Sequence, residues 1–177
     1  GRNIHYCHTP PRFLYDQRDF YFALIPTWQH PFLEAFNRYF QPRYERAVSR
    51  MDVVIANSFN VQQRIKKYLG CDATVVHPPC DLERFRWEDT GDFYLSTARL
   101  DPLKRVDLVV KAFKKMNDRK LVVVSGGPEF QPIRRIAAGT DNIEVLGWAD
   151  EQSLQSLLST CLATIYIPKD EDFGMSP

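Results

Sequence analysis

From Asp92 onward, short apolar runs alternate with stretches in which apolar residues return every three to four positions. The runs Phe93 to Ser96, Leu121 to Val124, Ile143 to Val145 and Ala163 to Ile167 read as strands. Between them, Val106 to Met116 aligns Val106, Val109, Val110 and Phe113 on one helical face. Phe130 to Ala138 and Glu151 to Ser159 follow the same spacing, the second aligning Leu154, Leu157 and Leu158. Such alternation requires a parallel sheet with helices on both faces, a Rossmann-like α/β fold. Ligands bind such sheets beyond the carboxyl ends of the strands, which singles out the loops after Ser96, Val124, Val145 and Ile167.

The front of the chain is less regular. A short strand-like run over residues 1–8 ends at Thr9-Pro10-Pro11, where lost amides stop a ladder, and a loop follows. From Pro31 to Arg50 the pattern is helical, with Phe32, Phe36, Tyr39, Phe40 and Val48 at helical spacing, and Pro42 is expected to kink or divide it. Met51 to Ala56 reads as a strand, Asn57-Ser58 as a cap, and Val61, Ile65, Tyr68 and Leu69 as one face of a helix closed by Gly70. Ala73 to Val76 is a further short strand, and the polar stretch after it supplies a linker. The chain therefore divides at the sequence level into residues 1–82, a linker over 83–91, and residues 92–177.

Composition agrees with a folded protein: of 177 residues, 44% are hydrophobic and 25% charged. The net charge of +1 provides no field that would gather nucleic acid, so affinity for phosphate must come from local clusters. Cys7, Cys71, Cys80 and Cys161 lie far apart, which fits buried free thiols in a reducing compartment better than a metal site or a disulfide framework. No run approaches the roughly 18 apolar residues of a membrane-spanning helix. The first residues contain no start methionine and no signal-like segment, so the sequence reads as a piece from within a longer protein.

Two of the indicated loops carry charge. Thr97 to Arg105 places Arg99 and Lys104 just before the helix at Val106, where free amides and two cations would hold a diphosphate; a solvated basic loop has the same composition. The last strand runs into Lys169-Asp170-Glu171-Asp172-Phe173-Gly174-Met175, at the same edge of the sheet. A carboxylate there can accept hydrogen bonds from sugar hydroxyls, and it can equally belong to an exposed turn.

Taken in order, Arg99 and Lys104, Gly126-Gly127-Pro128-Glu129, Leu146-Gly147-Trp148 and Glu171-Asp172-Phe173-Gly174 resemble the family 4 glycosyltransferases of GT-B fold. Tyr6 to Arg12 and Ala56-Asn57-Ser58 resemble N-terminal-domain segments of bacterial and archaeal polysaccharide members, some of them mannosyltransferases. The resemblance implies a retaining transferase that moves a hexose, such as mannose from GDP-mannose, to a glycan or lipid-linked acceptor. It assigns the donor diphosphate to Arg99 and Lys104, and the donor sugar to Glu171, Phe173, Gly174 and Met175. It assigns Glu171 and His8 to the catalytic set, and the vicinity of the nucleotide base to Leu146, Gly147 and Trp148. His8 is also compatible with a structural role. In the family a second glutamate follows Glu171 after seven residues and binds the ribose; it would be the second residue beyond Pro177. The resemblance further implies that residues 1–82 are part of an acceptor-side domain and 92–177 part of a nucleotide-sugar domain. It also implies no metal cofactor, and a cytoplasmic protein with peripheral contact at the inner membrane face as an option.

Two other motifs share these letters. Asp172-Phe173-Gly174 spells the magnesium motif of protein kinases, but no H-R-D loop precedes it and no glycine-rich loop accompanies it. Asp170-Glu171-Asp172 spells a metal-binding Asp-x-Asp, a role that Arg99 and Lys104 would make redundant by supplying the positive charge themselves. Other expectations stay open: a non-catalytic nucleotide-sugar or phosphate-binding module, and an enzyme using another donor such as UDP-glucose. The aromatic and arginine-rich helix either packs its aromatic face on a sheet or rests on anionic lipid.

Overall fold

The computed structural model describes residues 1–81 and 86–174, and the chain divides into two compact units, Gly1–Pro79 and Cys80–Pro177. The first unit is built on a parallel sheet in the order β1-β2-β3, with β1 at Ile4–Cys7, β2 at Val53–Ala56 and β3 at Thr74–Val75. Helix α1 (Arg18–Ala23) occupies part of the stretch that the sequence reads as a loop. Helix α2 (His30–Val48) stays a single element across Pro42. That proline removes one ladder hydrogen bond and does not divide the helix. Helix α3 (Phe59–Leu69) starts where the Ser58 hydroxyl accepts from the Val61 amide at 3.1 Å. Its residues Val61 and Ile65 are fully buried against Cys7, Val48, Val54 and Ala56, so the periodicity of α3 is the periodicity of this core.

The aromatic residues of α2 split between two environments. Phe36, Phe40 and Tyr44 stack in a row, at 5.4 Å and 6.1 Å between successive ring centroids, and Tyr44 packs on the core. Phe32 is 70% exposed, and Trp28 and Tyr39 are exposed as well. Only part of the aromatic pattern thus packs toward the sheet.

The second unit is a four-stranded parallel sheet in the order β6-β5-β4-β7, with β4 at Phe93–Ser96, β5 at Lys120–Val124, β6 at Ile143–Gly147 and β7 at Ala163–Thr164. Three helices connect the strands: α4 (Val106–Phe113), α5 (Phe130–Ala137) and α6 (Glu151–Thr160). Alternation along β5 decides the layers. Leu121 and Val123 pack with Val106, Val110 and Ile133 of α4 and α5, while Val122, Val124 and Leu95 pack with Leu154, Leu157 and Leu158 of α6. Each fully buried aliphatic side chain of this kind stabilises the fold by about 1.5–3 kcal/mol. A strand clothed on both faces reads as an unbroken apolar run, and Leu121 to Val124 is such a run.

The last strand is shorter than its apolar run. β7 pairs with β4, and after the Ile165 amide donates to the Leu95 carbonyl at 2.8 Å the chain leaves the sheet. It next bonds through the Lys169 amide to the Leu103 carbonyl at 2.7 Å. Tyr166 and Ile167, read as strand from sequence, therefore lie in the crossing that carries the chain to the loop after β4.

Candidate functional site

That crossing assembles a polar cluster at the carboxyl end of β4. After β4, Asp101 caps a single 3-10 turn, Pro102–Lys104, by accepting the Leu103 amide at 3.0 Å. Arg105 then adopts the left-handed region at φ 57°, a conformation that costs a non-glycine residue about 1–2 kcal/mol, and α4 begins directly after it. The tight turn and this reversal hold Lys104 where the returning chain passes. Its Nζ donates to Glu171 Oε2 at 2.6 Å and to the Tyr166 hydroxyl oxygen at 2.8 Å. The Tyr166 hydroxyl in turn donates to the same Oε2 at 2.7 Å. The carboxylate arm follows a second left-handed residue, Asp170, at φ 53°.

The cluster is partly screened from water, with the Lys104 and Glu171 side chains 23% and 28% exposed. Burial pushes the Glu171 carboxyl up, but hydrogen bonds from Lys104 and Tyr166 and the ammonium charge outweigh it, and the group titrates below its usual range. Burial pushes Lys104 down, and the bonds to Glu171 and Tyr166 reverse this and raise it. For Tyr166, burial and the neighbouring carboxylate keep the phenol protonated beyond its usual range. At neutral pH the cluster therefore holds a cation, an anion and a neutral hydroxyl.

A second loop abuts the first. The Leu100 amide donates to the Gly126 carbonyl and the Glu129 amide to the Leu100 carbonyl, both at 3.0 Å. Gly127 sits at φ 150° with its α-carbon against the Leu100 carbonyl, so a Cβ there would overlap that oxygen. At Gly126 a Cβ would overlap the indole of Trp148, which is itself 78% exposed. The glycine pair is thus required by close backbone approach on one side and by an overlying ring on the other. Glu129, in this loop, titrates high because of burial first and then the charges of Asp107 and Asp101.

The structure thus joins Lys104 to Glu171. Arg99 lies exposed in the same loop, and its carbonyl accepts the Asp101 amide at 2.9 Å. Phe173 is exposed, and Gly174 adopts φ 79°. Met175 lies outside the described residues. Leu146 is exposed, Gly147 is buried at φ 82°, and Trp148 covers Gly126. His8 belongs to the first unit, exposed just after β1, with its ring edge-on to Tyr6 at 5.2 Å. The segment that follows it is tied down by Arg12 and Arg64, which both pair with Asp16, at 2.9 Å and 3.5 Å. Among the described residues, no group of three or more His, Cys, Asp or Glu side chains converges as a metal site would require.

Tyr166 is the residue that the sequence does not single out. It sits in an apolar run that reads as core, and a tyrosine with a buried ring is expected there whether or not its hydroxyl is used. The only available signal is the hydroxyl itself, five positions before Glu171.

Comparison with known proteins gives this arrangement a family. The chain is 30% identical over 171 residues to the alpha-1,3/1,6-mannosyltransferase ALG2 of Saccharomyces cerevisiae, covering 84% of this chain and 31% of that protein. It thus spans about a third of the relative's length. Among solved structures, AviGT4, a glycosyltransferase involved in avilamycin A biosynthesis, superposes with a TM-score of 0.53 at 24% identity over 66% of this chain and 35% of its own. The lipopolysaccharide outer core galactosyltransferase WaaB does so with a TM-score of 0.55 at 18% identity, over 68% of this chain and 38% of its own. These two similarities establish a shared fold, the parallel α/β architecture of GT-B glycosyltransferases. Residues 81–177, which contain both charged loops and the Lys104–Glu171 pair, match the family described as glycosyl transferases group 1, and the chain belongs to that family.

Proposed function

We propose that the whole protein is a retaining hexosyltransferase of family 4 type, which moves mannose from GDP-mannose to a glycan or lipid-linked acceptor without a metal ion. The observation that carries the reading is the 2.6 Å pair between Lys104 and Glu171 at the carboxyl edge of a parallel sheet. It brings to one place the cation proposed for the diphosphate and the carboxylate proposed for the sugar. The mannosyltransferase name of the yeast relative supports mannose as the sugar. In this reading Arg99 and Lys104 take the donor diphosphate and stabilise the charge that grows on it as the sugar departs. Glu171 and the amides near Gly174 and Met175 hold the sugar, and the stretch Leu146 to Trp148 lies toward the base. These two cations do the charge-neutralising work that a divalent metal does elsewhere. His8 enters the catalytic set on the family resemblance.

The test is a panel of nucleotide sugars, GDP-mannose and UDP-glucose among them, given to the intact protein with release of nucleoside diphosphate as the readout. GDP release that depends on acceptor, and that falls by orders of magnitude in Lys104→Ala and Glu171→Ala, is the expected result. Full turnover in either variant removes that residue from the mechanism. Tight donor binding with no turnover on any acceptor favours a non-catalytic binding module, and turnover with UDP-glucose alone replaces the donor.

A second element of the proposal concerns the membrane. Trp28, Phe32 and Tyr39 are exposed along the Thr27–Gln29 turn and α2, beside Arg38, Arg43 and Arg46. Such a combination suits a peripheral contact with anionic lipid on the cytoplasmic side. Among the described residues, no helix is long and apolar enough to cross a membrane.

A further inference from the structure

We infer that Tyr166 is a positioning residue of the donor site, whose hydroxyl keeps Glu171 aimed when the donor's diphosphate draws Lys104 away. The inference rests on the proposed function and goes beyond it, since that reading gives Tyr166 no part.

Proton counting fixes the direction of each bond. The Lys104 ammonium has only donors, so at 2.8 Å the Tyr166 oxygen accepts from it. The ionised carboxylate has only acceptors, so at 2.7 Å the single phenolic proton goes to Glu171 Oε2. Lys104 donates to that same oxygen at 2.6 Å. One carboxylate oxygen is therefore held by two independent donors, one charged and one neutral. An arriving diphosphate competes for the charged donor, because two anions cannot both be best satisfied by one ammonium. It does not compete for the phenolic proton, whose position is set from elsewhere.

Of the three residues, Tyr166 is the one whose place is independent of the ligand. Its ring is partly buried against the core formed by α4, α5 and the sheet. Its backbone follows directly on the Ile165 bond to Leu95 at 2.8 Å. It has few torsions, and the Lys104 ammonium lies 5.3 Å from the centre of its ring. Lys104 has four rotatable bonds, and Glu171 stands on a loop beyond the sheet. Without the phenol, Oε2 would lose its neutral donor, and binding of phosphate would loosen the sugar ligand at the moment it is needed. With the phenol, the two tasks separate: Lys104 turns to the diphosphate and Glu171 stays in register for the sugar.

The separation is what the experiment reads. In the intact protein, Tyr166→Phe keeps the ring and its packing and removes only the proton donor. GDP affinity is expected to stay within about twofold of the unmodified protein, while affinity for GDP-mannose falls by about tenfold and turnover falls with it, as for loss of one hydrogen bond to a charged group. In a Glu171→Ala background the same substitution should cost no further donor affinity. Tyr166→His, which restores a ring with a donor nitrogen, should recover part of the GDP-mannose affinity. A purely structural tyrosine would lower GDP and GDP-mannose affinity together, and that result overturns the inference, as does an unchanged ratio of the two. Full turnover in Lys104→Ala and Glu171→Ala would instead mark failure of the proposed function itself.

Discussion

Lys104 and Glu171 stand 67 positions apart in the chain, and their side chains meet at 2.6 Å on a carboxylate oxygen that also takes the phenol of Tyr166. The link closes the loop after β4 onto the chain leaving β7, beside the backbone bond from Lys169 to Leu103. It is a strut between the two loops as well as a candidate ligand pair.

The strut has a defined pH window. Glu171 titrates below its usual 4.5, so its contribution is fully present above that value and is lost as pH falls through the depressed one. Lys104 titrates above its usual 10.5, so its contribution is fully present below that value and is lost as pH rises through the raised one. Chemical denaturation followed across acidic pH should show a loss of stability in the unmodified protein that is smaller in Glu171→Gln. Equal acid sensitivity in the two proteins would place the loss elsewhere.

The two glycines after β5 should respond oppositely to alanine. At Gly127 a methyl group meets the Leu100 carbonyl in a positive-φ backbone, and neither can yield, so Gly127→Ala should destabilise the unit by about 2–4 kcal/mol. At Gly126 the obstacle is the exposed ring of Trp148, which can swing aside. Gly126→Ala should leave the melting temperature nearly unchanged and alter indole fluorescence. The Trp148→Phe background removes the overlapping nitrogen and identifies the signal.

In the first unit, Ser58→Ala removes the hydroxyl that accepts the Val61 amide at the start of α3. Loss of such a cap costs about 1 kcal/mol. Because Val61 and Ile65 carry the core contact of that helix, the loss should appear as a lower denaturation midpoint of this unit with helix content unchanged at low denaturant.

Liposome flotation tests the exposed face of α2. With anionic vesicles the intact protein should float, and neutralising Arg43 and Arg46 together should release it, more so at raised salt. Arg43 also stacks over Tyr39 at 3.5 Å and donates to its carbonyl at 2.9 Å, so Arg43→Lys should bind lipid less well than its equal charge suggests. No difference among the three proteins would exclude this face.

What could be read from the sequence is local. The alternation of short apolar runs with helical spacing predicted a parallel α/β unit because the side-chain period is set by each element's own geometry, and both faces of β5 are filled as that pattern requires. The Ser58 cap was legible for the same reason, its partner Val61 being three residues away. Where the reading fell short, a neighbour distant in sequence decided. Apolar character continues to Ile167, but β7 ends at Thr164 because the chain is drawn to Leu103. Aromatic residues recur along α2 at helical spacing, but only some of them meet the core.

The sequence by itself determined the sheet, its layers and the two charged loops at its carboxyl edge. Only the tertiary structure decided that Lys104 rather than Arg99 meets Glu171, and that Tyr166 completes the contact. A hydrogen bond exists within a few tenths of an ångström, and that precision comes from how β4, β7 and their loops pack together, which no local pattern encodes.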